Sequence, residues 1–496
     1  MIQHCPVLIV LLPLTAALLC LLFSKFNKNL GSWLVIGSIA GSLACSLQVL
    51  HQTLTSGEAI HYWMGNWEPP LGIEFVIDPL SAVMAVLITF ISLMVAVYSK
   101  PFMRKEDWLH IGGYYTLYGL LTVGLCGMVI TGDMFNLYVY LEVMSLSGYG
   151  LIAMGGKKSM LAAFRYMLIG TIGASLYLIS VAYLYAMTGN LNMADLGERI
   201  MPYLSSPPFA LAVACLFIGF GIKMALFPLH GWQPDAYNFA HPGSAAFIAG
   251  VMSKVPAYAI IRFFFYIFGV NNPIISTALT VLGILGIGGV LIGSIMALAQ
   301  YDFRRMLAYS SVAQIGYIAI GLAIGNMYGF IGAVLHIINH AFMKSALFLV
   351  IGGIQYRFGE INLYRLGGLN KKMTLSTITV TLAALSMVGI PPTAGFFSKW
   401  YLMLGAYQGG QYFYIVVLVI SSLLNAVYFF RILEQMFVQH EASLTEINRH
   451  EGKLGLPPEM AIPILCAGLG ILVLGFYSVD IVDDILKSGL PEVFLR

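Results

Sequence analysis

The 496-residue chain is short of charge: Asp, Glu, Lys and Arg make up 9% of it, against roughly 25% in soluble domains. That scarcity excludes an ordinary water-soluble enzyme. Cysteine is sparse too. The six (Cys5, Cys20, Cys45, Cys126, Cys215, Cys466) fall in or beside apolar stretches and form no CxxC pair, so they read as packed thiols and signal neither a metal site nor a redox centre. There is no GxGxxG after a strand, no Walker A, no HExxH, and no quinone or haem signature. No cofactor is expected, and any electron chemistry would belong to partner subunits. Long polar loops are missing as well. The longest, 51–77, carries Glu58, Glu68 and Glu74 without Lys or Arg, and neither it nor 434–459 could fold as a catalytic domain. Nothing points to a nucleic-acid partner.

What remains is apolar. The composition is 59% hydrophobic with 52 glycines, and mean hydropathy is +0.85. This predicts a single all-α polytopic bundle over 1–496 in a lipid bilayer, with glycine allowing close helix packing. A span needs about 20 apolar residues. The pattern gives about fourteen: 6–23, 32–50, 78–99, 112–131, 133–153, 162–187, 208–227, 243–268, 275–299, 306–325, 329–353, 375–404, 413–433 and 460–480. In the first, Lys25 and Lys28 follow the apolar run instead of preceding it. That order is wrong for a cleaved signal and reads as a helix with its N-terminus outside. Of the 25 Lys and Arg, 17 then fall on one side, Arg449 and Lys453 among them and Arg165 and Arg431 at span ends; Arg199, Lys487 and Arg496 fall on the other, and five lie well inside spans. The positive-inside rule puts both termini outside the cell membrane.

Those five, Lys223, Lys254, Arg262, Lys344 and Lys399, share the apolar interior with one carboxylate, Glu142. A charge near the bilayer centre costs about 2.5–3.5 kcal/mol on insertion scales and is usually functional. Lys223, Lys254 and Lys399 each lie near prolines: Pro228, Pro256, and Pro391 with Pro392. Proline frees backbone carbonyls, and irregular backbone at membrane depth is tolerated only where protein or water surrounds it. Burial disfavours a charged lysine and a neighbouring carboxylate restores it, so moving the partner moves the proton. Set against this, any one lysine could snorkel or pair structurally, and Glu142 could sit protonated. His336, His340 and Lys344 repeat at i, i+4, i+8 and share a helix face. HxxxH could hold a metal, but a third ligand is missing; a titratable relay is the preferred reading, with packed histidines the bland one. Arginine does not release its proton, so Arg262 is read as structural, near the outer end of its helix. His230 and Asp235, in PLHGWQPDAYNFAHPGS, read equally well as an inlet for protons or as a capped loop.

The segments GDMFNLYVYLEVMSLSGYGLIA, KMALFPLHGWQPDAYNFAHPGSAAFIAGVMSKVPAYAIIR, YDFRRMLAYSSVAQIGY, HIINHAFMKSALFLV and GIPPTAGFFSKWYL resemble the antiporter-like proton-translocating membrane subunits. These include large membrane subunits of complex I, subunits of membrane-bound hydrogenases and large subunits of Mrp-type cation/proton antiporters. The resemblance runs from about 70 to 435, and the length looks most like the Mrp-type D subunit. It implies two inverted five-helix repeats, 112–268 and 275–433, flanked by 1–99 and 460–480, with helices 7 and 12 broken. It further implies a Glu142–Lys223 pair, continuation through Lys254, His336, His340 and Lys344, and a distal Lys399. The expected function is proton conduction coupled to Na+ or another monovalent cation, inside a hetero-oligomeric complex of membrane subunits. The alternative is the same module in a redox-driven complex.

Overall fold

The computed structural model describes residues 2–359, 362–438 and 455–494; Arg449, Lys453 and Arg496, counted above in the charge asymmetry, lie outside the described residues. The apolar runs all become helices: α1 Cys5–Phe26, α2 Lys28–Ser56, α3 Pro79–Met103, α4 Trp108–Ile130, α5 Met134–Ala153 and α6 Lys157–Thr188. Then come α7 Pro207–Met224 and α8 Gln233–Phe239, α9 Pro242–Ile267, α10 Pro273–Leu298, α11 Phe303–Ile324 and α12 Met327–Phe358. The series closes with α13 Thr374–Val388, α14 Ala394–Gln408, α15 Tyr412–Phe437 and α16 Pro458–Phe476. Twelve helices among the described residues are long and apolar enough to cross a membrane. The Glu142-bearing α5, and α13 with α14 as two halves of one, supply two further crossings, which makes the fourteen expected.

The starts of these helices are written in the sequence. Asp78, Asp107, Asp133, Asn272, Asp302 and Asn326 each accept a backbone N–H from the first turn of the helix that follows, the usual device for the orphan donors there. Crossing 7 is α7 with α8, and crossing 12 is α13 with α14. Both first halves end the same way. Ala225 (φ 62°) and Gly389 (φ 93°) are left-handed. The next N–H in each reaches back five residues, Leu226 to Gly221 O at 2.9 Å and Ile390 to Leu385 O at 3.0 Å, the Schellman closure of a helix. Crossings 4–8 and 9–13 therefore each run three continuous helices, one interrupted helix and one more. Five crossings per set make the second set enter from the opposite side of the membrane.

The loops meet as that count requires. A two-stranded hairpin, β1 Ile60–Trp63 and β2 Glu74–Ile77, was not foreseen within the loop 51–77. It joins the turn after α4 (Gly132 N–H to Glu74 O, 3.0 Å) and the segment after α6 (Met193 N–H to Gly132 O, 2.8 Å) at one end of the bundle. At the other end Asp235 pairs with Arg165 (3.1 Å) and Arg305 (3.8 Å), and Arg104 pairs with Glu459.

Arg262 has the structural role expected of it. Both guanidinium nitrogens engage the Asp78 carboxylate, one at 2.5 Å, while the Tyr258 and Tyr266 rings lie 5.0 and 4.5 Å from its carbon. The Tyr266 hydroxyl donates to Gly489 O, and Phe494 packs on Phe265 and Phe330, so this pair also anchors the C-terminal segment. Breaking a fully buried pair costs about 3–5 kcal/mol, because one charge is stranded; for this pair, 16% and 19% exposed, that is an upper bound. Asp78→Asn should therefore lower the thermal midpoint of the purified protein clearly more than Asp78→Leu combined with Arg262→Met; equal midpoints for all three proteins would contradict this.

Candidate functional site

A chain of polar side chains runs through the middle of the bundle. Lys223, in the last turn of α7, is 1% exposed. Its ammonium donates to Ser145 Oγ (2.5 Å) and Tyr149 Oη (3.2 Å) on α5. Glu142 lies on that same helix, half-buried, and acts on Lys223 electrostatically. The implied Glu142–Lys223 pair is thus a through-space coupling, not a direct contact. The hydroxyls one and two turns further along α5 occupy the ammonium, while the carboxylate sits on a partly exposed face.

Between Lys223 and Lys254 lie aromatic and amide groups that reading the sequence had missed. Tyr149 meets Tyr166 edge-on at 4.6 Å, Tyr166 stacks on Trp232 at 3.7 Å, and Trp232 meets Tyr237 at 6.3 Å. Gln233 Nε2 donates to the Tyr237 hydroxyl (3.0 Å), and that hydroxyl lies beside Ser253, the residue before Lys254. Pro256 cannot donate an N–H to the turn behind it, and residues 248–252 open into a π-turn, the usual relief for such a defect. The Lys254 ammonium donates to Ala249 O within it (2.5 Å).

Beyond Lys254 the helix α12 carries the stripe foreseen from i, i+4, i+8. His336, His340 and Lys344 are fully buried, and the two imidazoles stack 5.9 Å apart. Lys254 interacts electrostatically with both His340 and Lys344. Lys344 donates to Leu307 O (2.8 Å) and to Ser310 Oγ on α11. His336 bridges Gln314 Oε1 and Ser398 Oγ, each at 3.0 Å. Among the described residues both nitrogens of His340 lack a partner, as do Asn339 Oδ1, Gln314 Nε2, Gln233 Oε1 and Ser253 Oγ. Among the described residues no three His, Cys, Asp or Glu side chains converge as a metal site would need.

Lys399, in α14, reaches back across the break. Its ammonium donates to Met387 O (2.8 Å) and Val388 O (2.9 Å), the last carbonyls of α13, and to Ser422 Oγ (3.0 Å) on α15. The unpaired C-terminal carbonyls of a helix carry its negative dipole end and favour a cation. The Tyr317 ring lies 4.9 Å from this ammonium and 5.4 Å from His336, which joins Lys399 to the stripe. Among the described residues none of these four lysines forms an ion pair with a carboxylate. Of the suggested inlet, Asp235 is held between Arg165 and Arg305, while Nδ1 of the half-buried His230 has no partner among the described residues and its ring stacks on Phe227 at 5.5 Å.

Residues 131–425 match the family described as NADH:quinone oxidoreductase/Mrp antiporter, transmembrane. The chain belongs to that family. Residues 63–110 also match the N-terminal region of complex I chain 5. The chain is 45% identical to the N subunit of an NADH-quinone oxidoreductase from Desulforudis audaxviator, covering 99% of both. It is 31% identical to the D subunit of a Na(+)/H(+) antiporter from Alkalihalophilus pseudofirmus, covering 99% of this chain and 98% of that one. Among solved structures it superimposes with a TM-score of 0.90 at 28% identity on a chain of an archaeal membrane-bound sulfane sulfur reductase, covering 99% of this chain and 98% of that one. A chain of the Mrp complex of Dietzia sp. matches with a TM-score of 0.86 at 26% identity, covering 99% and 97% respectively. The protein is therefore a multi-pass membrane protein of a family whose solved members are subunits of multisubunit complexes.

At the break of crossing 12 a larger residue would crowd the Lys399 side chain. A Cβ on Gly389 would stand 3.0 Å from Lys399 Cδ, and its left-handed backbone costs a non-glycine residue about 1–2 kcal/mol. Gly389→Val should keep the protein membrane-inserted, lower its melting point by a few degrees and reduce ion transport severalfold in vesicles. Transport at the unsubstituted level would contradict that placement of Lys399.

Proposed function

We propose that this chain is the proton-conducting, antiporter-like subunit of a multisubunit membrane complex, exchanging protons for Na+ or another monovalent cation. The observation that carries the reading is a line of fully buried titratable groups, Lys254, His340, Lys344 and His336, held by hydroxyls, carbonyls and amides. An unsatisfied buried polar atom costs about 1–3 kcal/mol if left dry, so the free nitrogens of His340 support a hydrated path along α12. The relay would run Glu142, Lys223, Lys254, His336 with His340, Lys344, Lys399. A cation arriving beside Glu142, or a shift of α5, removes the field that supports the ammonium form of Lys223, and the proton moves on through Tyr149, Tyr237 and water. His230 would be the inlet, with Asp235 fixing its helix against α6 and α11. Residues 112–268 and 275–433 would act as the two repeats, 1–99 and 460–480 as flanking helices, and both termini would lie outside the cell.

A second reading has specific support. The relative at 45% identity is an NADH-quinone oxidoreductase subunit, and the structure at TM-score 0.90 belongs to a sulfane sulfur reductase. The same relay would then be driven by redox partners, with no redox chemistry in this chain. Identifying the subunits of the intact complex by mass separates the two: iron–sulfur partners favour the redox-driven reading, and exclusively membrane antiporter partners favour exchange.

Transport itself is tested with Lys223→Ala and Glu142→Ala. Each should reduce cation-dependent proton movement in everted vesicles at least ~10-fold, the scale of losing a positioned proton-transfer group, while the complex still assembles. Normal transport with weakened assembly would mean that these groups only brace the bundle.

A further inference from the structure

A second polar site lies far from the relay, at the end of the bundle that carries the basic turns. The last turn of α3, the first turns of α2 and α4 and the start of α16 enclose a cavity of about 360 Å³. Lys28, Lys100 and Arg104 line it, together with Ser32, Trp33 and Glu459. Each cation is fixed differently. The Lys28 ammonium donates to Glu106 O (3.2 Å), which bridges α2 to the turn before α4. Arg104 pairs with Glu459. Lys100 sits over the Trp33 ring at 3.4 Å and, among the described residues, pairs with no carboxylate. Three cations against one carboxylate leave the cavity net positive. Asn29 and Ser32, in the opening turns of the 29-residue α2, also line it, so the positive end of that helix dipole adds to the same field.

The surroundings of the cavity are apolar and open. Trp33 is 53% exposed at its mouth, Leu30 45% on the same helix, and Ile462 57% one turn along α16 from Glu459. An amphipathic tryptophan belongs at headgroup level. A free anion has no use for the apolar flank, whereas a glycerophospholipid fills both parts at once.

We propose that this cavity binds the phosphate headgroup of an anionic phospholipid, whose acyl chains lie along α2 and α16. The lipid would tie the α1–α4 block to α16, two parts of the bundle far apart in sequence. A cation close to an anionic headgroup contributes about 1 kcal/mol, or roughly fivefold in affinity.

The test uses the purified, delipidated complex with phosphatidylglycerol, phosphatidylcholine and inorganic phosphate as separate additions. Native mass spectrometry should find phosphatidylglycerol retained by the unsubstituted complex and bound about tenfold or more weakly by Lys28→Gln with Lys100→Gln. Lys100→Gln alone should show a partial loss, which keeps the test decisive if the double variant assembles poorly. Thermal stabilisation by phosphatidylglycerol should exceed that by the other two. Equal binding in the variants, equal stabilisation by phosphatidylcholine, or full replacement by inorganic phosphate would each overturn the proposal.

Discussion

A lysine ammonium inside a bundle of hydrocarbon must find polar atoms, and for Lys254 and Lys399 this fold finds them by breaking its own helices. The ends of α7 and α13 and the first π-turn of α9 are three places where backbone carbonyls leave the regular ladder. A buried lysine stands at each: Lys223 in the last turn of α7, Lys254 on Ala249 O, Lys399 on Met387 O and Val388 O. Lys344, on an unbroken helix, depends instead on Leu307 O and a serine of α11. Oxygen atoms of this kind hold an ammonium without neutralising it, as a carboxylate would. Its charge therefore stays sensitive to its neighbours, which a relay requires and a structural ion pair avoids. Arg262 is the contrast. It is clamped by Asp78 and two tyrosines.

The two interrupted crossings close with the same cap and place their lysines differently. Lys223 precedes its break; Lys399 follows its break by ten residues and folds back over it. The Lys399 ammonium ends on the carbonyl end of α13, whereas the Lys223 ammonium turns to the hydroxyls of α5. Between them the stripe of α12 supplies the middle, stitched to α11 through Gln314 and Ser310 and to α14 through Ser398.

Much of this was legible from residues alone. Runs of twenty apolar residues have one stable form in lipid, so the crossings fell where expected, and the i, i+4, i+8 spacing placed His336, His340 and Lys344 on one face. Pro391 and Pro392 marked the gap that divides the single expected span 375–404 into α13 and α14. Partner choice across helices was not legible, because it depends on how each helix is rotated against its neighbour. Ser145 and Tyr149 stand three and seven positions after Glu142, on its face of α5, yet nothing in the chain says that Lys223 takes the hydroxyls and leaves the carboxylate. The hairpin within 51–77 and the docking of Phe494 on Phe265 and Phe330 escaped for a similar reason. Each strand has only four residues, too short to stand out from the loop, and the partners of Phe494 lie far away in sequence.

The central claim is a wet, continuous interior from Lys223 to Lys399, and a cryo-electron microscopy map of the assembled complex that resolves ordered water tests it most directly. Water bridging Lys254, His340 and Lys344 and continuing past His336 to Lys399 is the predicted result. Dry side-chain packing around both nitrogens of His340, or an apolar wall between the stripe and Lys399, would contradict it.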